Sequence, residues 1–156
     1  MGWLSQMWLT GMERGLERMG RGRTARLPAH LVVGMQGEDA AYFYLRRKGY
    51  IVVARRWSPG HEPGDIDLIA WQGQLLCVVE VKTRTAHDAT PAEVAVDGHK
   101  RTMLRKLARQ FVRQLPQATA PQVRFDVISV YLVPGQKKEF VHFEAAFGWS
   151  ELRDWN

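Results

Sequence analysis

The chain has little that would tie it to an oxidising or a membrane environment. Its 156 residues include a single cysteine, Cys77, so no intramolecular disulfide can form, and we expect a reducing, cytoplasmic compartment. No apolar run is long enough to cross a bilayer. The N-terminus lacks the pattern of a signal peptide because its apolar residues precede its arginines. We therefore expect no membrane partner.

The sequence also lacks internal repeats and any module that reads bases, such as a helix-turn-helix or a zinc finger. Negative charge is in deficit: 22 Lys and Arg stand against 16 Asp and Glu, which gives a net charge of +6. A basic surplus favours an anionic partner, and nucleic acid is the first candidate. Without a base-reading module, recognition is expected to depend on the shape and the backbone of that nucleic acid.

The composition, with 46% hydrophobic and 24% charged residues, is typical of one globular domain. Residues 1–33 differ from the rest because they include a run rich in arginine and glycine. We interpret residues 1–33 as a basic, flexible N-terminal extension and residues 34–156 as the domain. The extension either contacts phosphates or reflects an upstream start, with Met35 as a later one.

Carboxylates occur in two neighbouring β-like segments, at positions where a buried strand would have Val or Ile. Asp67 lies in the segment 64–70, and Glu80 and Lys82 lie in the segment 78–84. The intervening Gln72-Gly73 predicts a hairpin with a two-residue loop. Because side chains alternate across a strand, this register would put the carboxylates and the lysine on one face and apolar residues on the other. Asp65 would then lie opposite Glu80.

This cluster has the chemistry of a magnesium site. Mg²⁺ and Mn²⁺ prefer oxygen ligands, which the carboxylates of Asp67 and Glu80 and the carbonyl of Val81 would supply. Such a metal activates water and relieves charge on a phosphodiester, and Lys82 would orient the water or stabilise the phosphate in the transition state. The alternative is a pair of surface carboxylates and a Glu-Lys pair on a solvated strand.

The remaining pattern predicts an α/β domain with a mixed sheet flanked by helices. The expected order is α-β-β-β-α-β followed by an edge strand, with these bounds: helix 37–48, strands 50–57, 65–71 and 74–83, helix 97–115, and strands 123–133 and 139–143. Residues 51–53 are expected to be buried. The hairpin at the front and the helical crossover at the back imply both antiparallel and parallel pairing.

Two features of the predicted helices allow two interpretations each. Glu38, in the first turn of the first helix, either complements the helix dipole or adds a carboxylate to the metal site. Arg101, Arg105 and Arg109 recur every four residues along the second helix. They form either a solvated face or an edge that contacts phosphates.

Taken together, these motifs resemble a known family. The matching stretches are Gly37-Glu38-x-x-Ala41, 64–69, 79–84, Lys100, 124–127 and 142–147. They are similar to the PD-(D/E)xK, or restriction-endonuclease-like, superfamily and more narrowly to the YraN (UPF0102) family of bacterial proteins. The resemblance implies a restriction-endonuclease-like fold and metal-dependent cleavage of DNA.

The resemblance also implies roles for individual residues. Asp67 and Glu80 would be metal ligands, Lys82 the catalytic lysine, and Glu38 the helix carboxylate of the Holliday-junction-resolvase branch. We expect five basic residues to contact nucleic acid: Arg84, Lys100, Arg101, Arg105 and Arg109.

Three functions remain open at this point. The first is a Mg²⁺- or Mn²⁺-dependent endonuclease that acts on structured or branched DNA. The second is a non-cleaving DNA-binding accessory protein that works with a DNA helicase in recombination, repair or transformation. The third is an interaction domain without a nucleic acid ligand. An exposed edge strand at 139–143 would allow a homodimer.

Overall fold

The computed structural model describes Met12 and residues 27–87 and 96–150. Most of the predicted N-terminal extension, residues 1–11 and 13–26, lies outside the described residues. The elements, in chain order, are α1 (Ala29–Arg47), β1 (Ile51–Trp57), β2 (Ile66–Gln72), β3 (Leu75–Arg84), α2 (Gly98–Gln114), β4 (Gln122–Tyr131) and β5 (Glu139–Phe147). This order confirms the predicted succession of helices and strands.

The five strands form one mixed sheet in the order β1-β2-β3-β4-β5. The pairs β1–β2, β2–β3 and β4–β5 are antiparallel, and β3–β4 is parallel. The parallel pair follows from α2, because two parallel neighbours need a crossover connection and a helix supplies it. The predicted mixed α/β fold is confirmed and is consistent with a restriction-endonuclease-like architecture.

Both faces of the sheet are buried. Ala40, Ala41 and Leu45 of α1 pack on one face, and Leu104, Leu107 and Ala108 of α2 pack on the other. Alternate residues of β3 serve the two cores, as the period of a strand requires. The predicted apolar face of the hairpin is confirmed, since Leu68, Ala70, Cys77, Val79 and Val81 lie in one core. The face with the carboxylates also carries apolar residues, Ile69, Leu76 and Val78, which lie in the other core.

Helix α1 begins at Ala29, eight residues before the predicted start near Gly37. Glycines inside a helical pattern weaken the sequence signal, yet here Gly37 is required by packing. A methyl group at residue 37 would overlap the hydroxyl of Thr83, so glycine lets α1 approach β3 closely. Because residues 29–33 belong to α1, the predicted boundary between residues 33 and 34 falls inside this helix.

Strand β1 confirms a strand after the first helix but corrects its burial. Ile51 is 65% exposed and Val53 48% exposed, although both were expected to be buried. Strand β1 lies at the edge of the sheet, and there the side chains of Ile51 and Val53 face solvent while Val52 between them is half-buried. At the other edge, β5 confirms the predicted edge strand and continues to Phe147, beyond the expected end at residue 143.

The β2–β3 hairpin turns at Gly73-Gln74, one residue later than predicted, with Gly73 at a φ of +60°. Gln72 pairs with Leu75, and the count places Asp67 opposite Glu80, where Asp65 was expected. This shift moves the pairing partner by two residues and so preserves the parity of side chains. The two predicted metal ligands are consequently direct neighbours across the hairpin.

A carboxylate and lysine cluster as candidate active site

Asp67 lies where the ladder between β2 and β3 ends. The last pair that β2 makes in this direction is Leu68 with Val79. Beyond it, the backbone N–H of Val81 donates to Oδ2 of Asp67 at 2.7 Å. The side chain thus replaces a strand carbonyl, which holds the carboxylate against β3 and leaves its other oxygen for a further interaction.

Glu80 lies between two ammonium groups. Nζ of Lys82 is 3.0 Å from its Oε1, and Nζ of Lys100 is 3.1 Å from its Oε2. Lys82 follows Glu80 on the same face of β3, whereas Lys100 comes from the first turn of α2, which is capped by Asp97. Glu80 is only 3% exposed, so its charge depends on these two partners.

The protonation of Asp67 depends on its surroundings. Burial raises the pKa of Asp67 to about 7, with the neighbouring charge of Glu80 acting in the same direction; the N–H of Val81 and the ammonium of Lys100 oppose them. Burial alone would lower the pKa of Lys100, but the charges of Glu80 and Asp67 outweigh it and raise that pKa. Lys100 is therefore a cation, and Asp67 titrates near neutral pH.

Glu38 lies beside the same cleft but is held by another residue. A cleft of about 450 Å³ is lined by Glu38, Asp67, Glu80 and Lys82. Glu38 forms an ion pair with Nε of Arg56. Arg56 has a φ of +46°, which is uncommon for a residue other than glycine, and it sits near the end of β1. The fold brings Glu38 to the cleft, and its role as a metal ligand stays a prediction.

The oxygen ligands of the site meet part of the requirement of a hard divalent cation. Within the described residues, Oε2 of buried Glu80 has no hydrogen-bond donor, since the contact with Lys100 is an ion pair without hydrogen-bond geometry. That oxygen and Asp67 are ligands of the type that Mg²⁺ prefers. However, no group of three or more His, Cys, Asp or Glu side chains in the described part of the chain is placed to hold a metal ion. Water and the predicted Val81 carbonyl would have to complete the coordination.

Comparison with known proteins places the chain in a family. Residues 37–130 match the model of the uncharacterised protein family UPF0102. A UPF0102 protein of Koribacter versatilis is 44% identical over 120 residues, which cover 77% of this chain and 82% of that protein. The chain belongs to the UPF0102 family. A UPF0102 protein of Nocardia farcinica is 39% identical over 124 residues, 79% of this chain and 94% of that protein.

In this UPF0102 protein, the arginines predicted to contact phosphates also pack against the end of β5. Nε of Arg105 donates to the carbonyl of Gly148 at 2.7 Å, and the guanidinium groups of Arg101 and Arg105 lie over the ring of Phe147. Arg109 is exposed and lies over the ring of Trp149. Arg84 is half-buried near the end of β3. Contact of these residues with nucleic acid stays a prediction.

Sequence reasoning missed a second buried carboxylate in this UPF0102 protein. Asp126 on β4 is fully buried, accepts two bonds from Arg124 at 2.7 and 2.8 Å, and lies 2.9 Å from Nε2 of His142. The backbone N–H of Ala145 adds a fourth bond at 3.0 Å. Arg124 and Asp126 share one face of β4, and that spacing is a local signal; no local pattern indicates the partnership with His142.

The ion pair between Lys100 and Glu80 was also missed. Twenty positions separate the two residues in the UPF0102 chain, and only the packing of α2 on the sheet brings them together. Among the residues that the structure describes, no helix has the length and apolar character needed to span a membrane.

Proposed function

We propose that this UPF0102 protein is a metal-dependent endonuclease that hydrolyses DNA phosphodiesters, with structured or branched DNA as its substrate. The proposal rests on one observation above all. Asp67 and Glu80 lie on adjacent strands and line one cleft, and Lys82 is paired to Glu80. Two carboxylates and one amine in this order on a hairpin provide ligands for a hard cation and a group that stabilises charge.

Each residue of the site would have its own role in catalysis. Asp67 and Glu80 would hold Mg²⁺ or Mn²⁺, and Glu38 would join them if Arg56 released it. The metal, when bound, supplies a Lewis acid that polarises the phosphate and activates a water molecule. Lys82 is about 30% exposed on its side chain, so its ammonium reaches solvent while remaining paired with Glu80. From there it would hold the attacking water or stabilise the developing negative charge on phosphate.

DNA as the substrate is supported by the charge of the chain. The net charge is +6, and the basic residues of α2 begin at Lys100, beside the carboxylates. A basic helix that starts at the candidate site would guide a phosphate backbone towards it. The absence of a recognisable base-reading module in the sequence favours substrates distinguished by their shape, such as flaps and four-way junctions.

The test is cleavage of plasmid, flap, single-stranded and four-way-junction DNA with Mg²⁺ or Mn²⁺. We expect Lys82→Ala and Asp67→Ala each to lower the cleavage rate by about 10²-fold or more. Lys106→Ala is the matched control, since Lys106 lies on α2 but pairs with Glu62 outside the cleft. Cleavage that survives both Lys82→Ala and Asp67→Ala would come from a contaminating nuclease and would contradict the proposal.

A second function is favoured by one specific observation. All three predicted acidic ligands already have structural partners: Glu38 pairs with Arg56, Asp67 accepts from the N–H of Val81, and Glu80 pairs with two lysines. This arrangement suits a DNA-binding accessory protein that retains the fold without turnover, for example as a partner of a DNA helicase. Salt-dependent DNA binding without cleavage under any divalent metal would select this function over the first.

A further inference from the structure

When Asp67 is ionised, the charges of the candidate site cancel before any metal is added. Asp67 and Glu80 contribute two carboxylates, and Lys82 and Lys100 contribute two ammonium groups. A divalent cation that entered this arrangement would leave two positive charges uncompensated. Uncompensated charge is costly in a site as enclosed as the surroundings of Glu80, which is 3% exposed.

Lys100 competes with a metal ion for Glu80. Its Nζ lies 3.1 Å from Oε2 of Glu80, the oxygen that has no hydrogen-bond donor among the described residues. An ammonium at this distance and a metal ion on the same oxygen would repel each other strongly. Lys82 contacts the other oxygen, Oε1, and so does not compete for the same position.

The side chain of Lys100 can move away from Glu80. That side chain is 27% exposed and has a flexible four-carbon stem. Lys100 belongs to the first turn of α2, where the N-cap residue Asp97 accepts a bond from the backbone N–H of Lys100. The N-terminal end of a helix favours anions and disfavours cations, so the position of Lys100 improves when a phosphate binds beside it.

We propose that Lys100 is a phosphate-binding residue that gates the metal site: a DNA backbone phosphate draws its ammonium away from Glu80, and only then does Oε2 become a metal ligand. The inference rests on the proposed function. Two backbone phosphates would balance the two positive charges that the metal adds, so DNA and metal bind cooperatively. Thermodynamic linkage requires the effect to be reciprocal, with metal tightening DNA binding by the same factor.

The experiment is calorimetric titration of Mn²⁺ into wild-type protein and into Lys100→Gln, without DNA. Removing the competing ammonium should tighten Mn²⁺ binding by about tenfold or more, because like charges a few ångströms apart repel strongly at a partly buried site. Lys100→Arg keeps the charge and should bind Mn²⁺ as weakly as wild type. Lys106→Gln, on the same helix but paired with Glu62, should also match wild type.

The second arm repeats the titration with a short mixed-sequence DNA duplex that carries phosphorothioate linkages, which slow hydrolysis. Bound DNA should tighten Mn²⁺ binding to wild type and leave the affinity of Lys100→Gln nearly unchanged. Thermal unfolding of each variant without metal checks that it is folded.

The outcomes separate the gate from the proposed function. Equal Mn²⁺ affinity in wild type and Lys100→Gln, unchanged by DNA, would overturn the gate and leave the metal site standing. If neither protein bound Mn²⁺ with or without DNA, both the gate and the metal-dependent nuclease would be refuted.

Discussion

Two carboxylates, half-buried Asp67 and fully buried Asp126, show how differently one sheet can treat the same side chain. Burial alone would raise the pKa of Asp126, but hydrogen bonds from His142, Arg124 and the backbone of Ala145 outweigh it and hold that pKa below its usual range. Within the described residues, Asp67 accepts one backbone hydrogen bond, from Val81, and lies near a second carboxylate; burial raises its pKa to about 7. A carboxylate with all its lone pairs used stabilises the fold, whereas one left short of donors beside a like charge is suited to binding a cation.

The two acids also differ in their position on the sheet. Asp126 pairs in register with Val79, and Glu80 is the next residue of β3. Because side chains alternate, Asp126 points to the α1 face and Glu80 to the α2 face. One residue along a strand therefore separates a closed hydrogen-bond network from an open cleft.

The largest expected effect is the loss of the Asp126 network. Asp126→Ala should lower the free energy of unfolding by about 3–5 kcal/mol, because it removes the buried acceptor of two bonds from Arg124 and of the bonds from His142 and the backbone of Ala145. Urea unfolding at pH 7 in EDTA measures this difference. A loss below about 1 kcal/mol would show that the network contributes little to stability.

The next effect is a pH dependence of stability caused by Asp67. An unfolded aspartate titrates near 3.8 and the folded Asp67 near 7, so between these values the folded protein holds a proton that the unfolded chain has released. The free energy of unfolding should therefore fall as pH rises through this window. At ~1.4 kcal/mol per pH unit, the penalty above pH 7 has an upper bound of about 4 kcal/mol.

Asp67→Asn should remove this penalty. In EDTA the variant should gain stability relative to wild type as pH is raised from about 4 to about 8. Asp126→Asn provides the contrast, since the lowered pKa of Asp126 gives a contribution that is present above pH 3.8 and lost as pH falls through the folded value. Urea unfolding across this pH range measures both variants. If their free energies of unfolding changed with pH in the same way, the distinction between Asp67 and Asp126 would be contradicted.

The smallest expected effect concerns the rim of the Asp126 network. The hydroxyl of Tyr50 accepts a bond from Arg124 at 3.0 Å and donates to Oε1 of Glu144 at 3.2 Å. Tyr50→Phe removes both hydrogen bonds and should cost about 1–2 kcal/mol. Tyr44→Phe is the control, because the hydroxyl of Tyr44 bonds only to exposed Lys48 among the hydrogen bonds described. Equal losses of stability in the two variants would show that the hydroxyl of Tyr50 contributes no more to the Arg124–Asp126 network than an exposed hydroxyl does.

Local pattern predicted most of the fold. The order of the elements, the hairpin and the crossover helix followed from periodicity and turn residues, since these depend on neighbours in the chain. The start of α1 and the exposure of Ile51 did not. Helix α1 runs through Gly37, which weakens the local helical pattern but allows a close approach to Thr83, and Ile51 lies on a strand at the sheet edge.

The sequence by itself determined which residues meet across the hairpin, because strand alternation keeps Asp67, Glu80 and Lys82 on one face even when the turn shifts by one residue. Only the tertiary structure decided which partners surround these three side chains and how buried they are. The pairing of Lys100 with Glu80, of Arg56 with Glu38 and of His142 with Asp126 joins residues far apart in the chain. Charge and burial at a site depend on such distant neighbours, and a linear pattern carries no record of them.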